Sequence, residues 1–143
     1  MLIGGHGKRV VGIAARHANI FQFTGLTQGD GGQPAAGGFG IEAIRKRSRW
    51  LAEAAGDRLG DIERSALVQF TQNGPTTDDE LDAMAERFQV SRELIDETPF
   101  VLIGSVEQIV DKLECLRSDV GISHFEVREA EGFAPVVAAL AGR

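Results

Sequence analysis

What this 143-residue chain lacks sets its first bounds. Cys115 is its only cysteine, which excludes an intrachain disulfide and a thiolate metal cluster and suits a reducing cytosol. No apolar run approaches the roughly eighteen residues that a membrane span needs. Only Met1, Leu2 and Ile3 precede the first glycines, too few for the apolar region of a secretory leader. Basic residues are outnumbered, 15 Lys and Arg against 21 Asp and Glu, and the sequence pI near 5.0 argues against the basic stripe that nucleic acid requires. No Ser-His-Asp set and no paired acids stand out, and His124 has no Asp or Cys at metal-ligand spacing. The expectation is a cytoplasmic chain that binds no metal, nucleic acid or membrane. At 43% hydrophobic and 25% charged, it has the make-up of one ordinary globular domain.

Its most informative segment is the start, Met1-Leu-Ile-Gly-Gly-His-Gly-Lys8. A short apolar strand runs into a glycine-rich turn and then a helix, Arg9 to Ala18. Gly4, Gly5 and Gly7 let backbone approach a ligand closely. The amides at a helix start point outward at the positive end of the macrodipole, and Lys8 adds charge there. The segment is neither a Walker loop, since Arg9 stands where Ser or Thr belongs, nor the G-x-G-x-x-G fingerprint. It reads as a phosphate cradle or as a plain strand-to-helix turn, and both readings stay open. His6 within it either donates to the phosphate or faces water.

Strands and helices alternate from there. Ile20 to Thr24 reads as the second strand, and a Gly/Gln/Pro loop from Gly25 to Gly40 reads as a mobile lid or plain disorder. A helix from Ile41 to Ala55 follows. Ala66 to Thr71 reads as a third strand, and Thr77-Asp-Asp-Glu80 is a capping box that opens a helix. A short helix starting at Ser91 ends before Pro99. Phe100 to Ile103 leads into a second capping box, Ser105-Val-Glu-Gln108. The helix it starts carries Val106, Ile109, Val110, Leu113 and Leu116 at spacings of three and four, and Gly121 ends it. His124 to Arg128 is the last main strand, and Phe133 to Ala141 the last helix. Such alternation means right-handed crossovers and a parallel sheet, an α/β fold of (β/α) units.

Several single residues carry expectations. Cys115, between Leu113 and Leu116, reads as a buried inert thiol. The run Arg45-Lys46-Arg47 with Arg49 reads as a solvated helix face over an acidic neighbour. His17 reads as a cation at a helix C-terminus. Gln22, Gln69, Glu126 and Arg128 sit in strands, as layer-filling partners or as substrate contacts.

Residues 2–19, Leu-Ile-Gly-Gly-His-Gly-Lys-Arg-Val-Val-Gly-Ile-Ala-Ala-Arg-His-Ala-Asn, resemble the segment that follows the fifth barrel strand of the luciferase-like monooxygenases. Thr98 to Leu113, with Gly121-Ile-Ser-His-Phe-Glu-Val127, resembles their last βα unit and final strand. The similarity is greatest to the branch that uses the deazaflavin coenzyme F420. Asn19 departs from the family's usual Asp. The resemblance implies the C-terminal half of a TIM (β/α)8 barrel over residues 1–143, with Gly4, Gly5, His6, Gly7 and Lys8 at the cofactor phosphate. It further implies hydride or oxygen transfer to a small-molecule substrate at an F420 ring, with FMN as the alternative. A barrel of about 250 residues is not filled by four units. Open edge strands and an uncovered apolar interior are therefore expected to drive self-association or pairing with an N-terminal half. The rival expectations are a non-catalytic half-barrel subunit and a small doubly wound domain that binds FMN.

Overall fold

The computed structural model describes residues 1–28, 34–35 and 37–141. Strand β1 (Leu2–Gly4) leads to helix α1 (Lys8–His17), and β2 (Ile20–Phe23) follows. The loop after it holds a small antiparallel pair, β3 (Thr27–Gln28) with β4 (Pro34–Ala35); residues 29–33 and 36 of the expected lid lie outside the described residues. Helix α2 (Ile41–Ala55) runs through a 3-10 turn into β5 (Glu63–Leu67). An excursion then carries β6 (Phe70–Asn73), α3 (Asp78–Phe88), α4 (Arg92–Glu97) and β7 (Val101–Gly104). Helix α5 (Val106–Val120), β8 (His124–Glu126) and α6 (Ala130–Leu140) complete the order.

The main sheet runs β1-β2-β5-β8 and is parallel throughout. Each strand lies beside the previous one and the order never turns back. A doubly wound sheet reverses at a switch point, so this winding is a barrel's and the doubly wound reading falls. Helices α1, α2 and α5 cover one face. Phe21, Phe23 and Ala66 point into that layer and meet Val11, Ala14, Ile44, Leu51 and Leu116 in one core. Phe21 and Phe23 sit edge to face at 5.0 Å, the arrangement that ring quadrupoles favour.

The strand expected over Ala66 to Thr71 is two strands in two sheets. At Val68 the backbone still donates to Glu126 O of β8, whereas at Gln69 it donates to Phe100 O. From there β6 pairs in parallel with β7, Phe70 opposite Val101. An unbroken apolar run carries no mark of such a change of partner. Both capping boxes form: Thr77 accepts from Glu80 N and Ser105 from Gln108 N, each with the reciprocal bond. Gly121, at φ 73°, ends α5 in the left-handed conformation that glycine favours.

Three expectations are corrected. Cys115 is exposed, because two residues along a helix is roughly 200° of rotation, and Leu113 takes the inward face. The last helix starts at Ala130 rather than Phe133 and tolerates Pro135 inside it. The sheet face opposite the helices is not an open apolar surface. By strand alternation it mixes the polar Gln22, Glu63, Ser65, His124 and Glu126 with Leu2, Ile20 and Leu67; Ile20 and Leu67 are half-buried and Leu2 is 48% exposed. Among the described residues β1 pairs only with β2 and β8 only with β5, so both edges of the sheet are open.

Candidate anion-binding site

The C-terminal ends of β1 and β2 meet the N-terminus of α1, and the glycine turn is tight there for packing reasons. A Cβ on Gly4 would stand 3.0 Å from Gln22 O, and one on Gly5 2.8 Å from Val10 Cγ1. Gly5 also has φ +157°. Gly7 differs, because a Cβ there would meet nothing within 4 Å and its φ of −85° suits any residue. Bulk is therefore excluded beneath the turn, whereas space is left above it.

Helix α1 begins without compensation. The first bond of its ladder runs from Val11 N to Gly7 O, so the amides of Lys8, Arg9 and Val10 precede it as orphan donors. No side chain caps this end, and no acid lies in the first turn. Helices α3, α4 and α5 each have a Thr or Ser cap and an acid there. Lys8 and Arg9, both exposed, add positive charge where the dipole is already positive.

His6 turns out to be a fastener of the turn. Arg47 Nη1 donates to its Nδ1 at 3.2 Å, which places the ring proton on Nε2. That Nε2 donates to Thr24 Oγ1 at 2.8 Å and to Leu26 O at 3.1 Å. Burial first, and Arg47 second, push the imidazole below its usual pKa. The ring lies so close to Gly38 that a Cβ there would collide with it.

Arg47 is the residue that sequence reasoning misplaced. It is not on a solvated face: it is 2% exposed and donates to Thr24 O at 3.0 Å, Gly38 O at 2.7 Å, Ala43 O at 3.2 Å and Gly5 O at 3.5 Å. Its guanidinium also lies 5.5 Å from the centre of the Phe23 ring. Burial lowers its pKa to about 10, which leaves it charged near neutral pH. Its partners among these groups are all neutral, so a buried cation sits directly beneath the turn. The signal was in the spacing: Ile44, Arg47 and Leu51 fall at i, i+3 and i+7, the inward stripe of α2. Arg45, by contrast, does lie over acids, Glu42 and Asp119.

The other singled-out residues stand apart from this cluster. His17 closes α1 at the surface. Gln22 Nε2 donates to Glu126 Oε2 at 2.7 Å across the sheet face opposite the helices, Gln69 bonds to Leu67 O, and Arg128 lines a separate cavity of about 310 Å3. His124 Nδ1 lies 3.6 Å from Glu63 Oε2. Among the described residues no group of His, Cys, Asp and Glu could hold a metal ion, and no helix is long and apolar enough to cross a membrane.

No protein-family model and no curated protein matches the sequence. Solved structures do match. Long-chain alkane monooxygenase LadA superposes with a TM-score of 0.57 at 16% identity over 97% of this chain. The EDTA monooxygenase EmoA from Chelativorans sp. BNC1 gives 0.57 at 15% over 97%. The coenzyme F420 dependent tetrahydromethanopterin reductase from Methanopyrus kandleri gives 0.54 at 16% over 87%. The fold is part of a (β/α) barrel. This chain spans 40 to 43% of the length of those proteins, in keeping with four strands wound in barrel order. The glycine turn lies between the end of β1 and the start of α1, at the strand C-terminal ends where barrel enzymes build their sites.

Proposed function

We propose that this chain is the C-terminal portion of a luciferase-like oxidoreductase that works on a flavin or deazaflavin, and that its glycine turn holds the cofactor's phosphate. One observation carries the reading: an uncapped, acid-free helix start beside an open Gly7, with the buried cation of Arg47 underneath. The amides of Lys8, Arg9 and Val10 would donate to the phosphate oxygens, and Lys8 would add charge. Gly4 and Gly5 keep side chains out of the cradle, and His6 acts by locking the turn from below. When bound, the ring supplies the hydride or oxygen chemistry, and the protein binds and orients it. The sequence resemblance and the Methanopyrus reductase favour coenzyme F420; FMN is the second choice, since a cradle of amides reads only the phosphate. The substrate is a small molecule, and the working compartment is the cytoplasm.

The open edges of β1 and β8 support a further part of the reading. Four more parallel strands, from an N-terminal half or from a second copy, would pair with both edges and close the barrel. Sedimentation of the purified chain tests this: a concentration-independent, well-folded monomer speaks against self-pairing.

Gly7→Asp tests the cradle, because its two effects have opposite signs. An aspartate N-cap is expected to stabilise α1 by about 0.5 kcal/mol, raising the urea midpoint. The same carboxylate occupies the phosphate position, so affinity for coenzyme F420 or FMN, followed by fluorescence, should fall at least tenfold. A more stable variant that binds either cofactor as well as the parent does would sink the proposal.

A further inference from the structure

Away from the glycine turn, the ends of β6 and β7 open into a cavity of about 530 Å3 lined by Thr76, Leu81, Asp96, Ile103, Gly104 and Lys112 among others. This is the size of a small-molecule pocket. Two of its side chains are unusual. Thr76 Oγ1 is the one buried side-chain polar atom without a hydrogen-bond partner among the described residues. A buried hydroxyl left alone is costly, so a ligand oxygen there would be stabilising. Lys112, on the second turn of α5, buries its amine against neutral acceptors: Nζ donates to Val101 O at 2.8 Å and to Ile95 O at 3.2 Å. Lys112 and Asp96 also line a second cleft, with Cys115 and Asp119.

We propose that this cavity takes a small carbonyl compound, an aldehyde or ketone, which condenses with Lys112 as a Schiff base. An amine with two N–H bonds held by carbonyls keeps a lone pair for attack once it is neutral. Burial favours that state: despite the attraction of Asp96, the pKa of Lys112 is lowered to about 8. In the reaction the nitrogen forms the C–N bond and the carbonyl π pair moves to oxygen. One amine proton passes to that oxygen, and the carbinolamine loses water to give the imine. No oxidant or reductant is consumed. The Thr76 hydroxyl donates to the carbonyl oxygen and polarises it. The site uses no residue of the glycine turn and is independent of the cofactor reading.

The chain's lysine content makes the test clean, since Lys8 and Lys46 are the only other lysines. The purified protein is incubated with propionaldehyde and cyanoborohydride at pH 8, which reduces any imine to a stable secondary amine, and is then digested and mapped by mass. An amine of pKa 8 is half neutral at that pH, an ordinary lysine amine well under one per cent, so Lys112 should label at least about tenfold faster than Lys8 and Lys46. Peptide mapping separates the Met1 amine. Thr76→Val should slow labelling of Lys112 several-fold and leave that of Lys8 unchanged. Equal labelling of the three lysines, or a Lys112 rate indifferent to Thr76→Val, would overturn the assignment.

Discussion

Arg47→Met should lower unfolding free energy by about 3 kcal/mol, the cost of breaking a buried polar network. Methionine fills the aliphatic volume, but the carbonyls of Thr24, Gly38 and Gly5 lose their shared donor. Those three carbonyls belong to the turn, the exit of β2 and the segment before α2, so one side chain fastens three pieces of backbone. Urea denaturation checks the magnitude. A second readout separates the role of the charge from mere packing. His6 has a depressed pKa in the folded protein, so as pH falls below its ordinary value of 6.5 the unfolded chain takes up the proton first. Stability is then fully present above pH 6.5 and declines below it. Arg47 is the second cause of that depression, so the decline should shrink in Arg47→Met and disappear in His6→Asn, whose amide oxygen can still accept from Arg47. An acid limb of equal depth in all three proteins would refute this coupling. On the proposed reading of the glycine turn, cofactor affinity should fall with Arg47→Met as well, since the cation beneath the turn is gone.

Phe100→Ala is expected to cost about 3–5 kcal/mol, the range for truncating a fully buried aromatic. Phe100 is wholly buried, its ring lies 5.4 Å from that of Phe39, and Phe39 lies 5.1 Å from Phe88 of α3. Gly25 fits between the first two rings so closely that a Cβ there would stand 2.6 Å from each. Thr98 Oγ1 adds a buried bond to Phe39 O at 2.7 Å. This cluster joins the β6–β7 excursion to the segment that leads into α2. The loss should therefore be spatially uneven: hydrogen exchange in Phe70–Asn73 and Val101–Gly104 should speed up more than in Ile20–Phe23. Uniform acceleration across both sheets would show that the excursion is no separate unit.

The parts of the fold set by local chemistry were legible in the residues. Thr77 with Glu80, and Ser105 with Gln108, announce helix starts because a capping box satisfies its amides within four residues. The inward stripe of α5 and the Gly121 stop are likewise local. What escaped was fixed by distant partners. The change of sheet between Val68 and Gln69 depends on Phe100, and nothing in residues 66–71 encodes it. Arg47 was hidden by its own neighbours, since Arg45, Lys46 and Arg49 make a charged run look like one solvated face. Only the helical spacing from Ile44 and Leu51 sets it apart. The glycine turn was legible in position, whereas the work of His6 was not, because its partners Thr24, Leu26 and Arg47 lie 18 to 41 residues away.

The excursion also has a consequence in time. Strand β5 meets β2 as soon as it is made, but its other neighbour, β8, comes about sixty residues later, with Ser65 opposite His124. At a synthesis rate of roughly 5–20 residues per second, the nascent chain carries a bare parallel edge for several seconds. Glu63 and Arg64 stand at the head of that edge, and charged side chains of this kind discourage stray strands from docking. Segment order within this chain thus sets how long a ribosome-bound intermediate stays vulnerable to its neighbours.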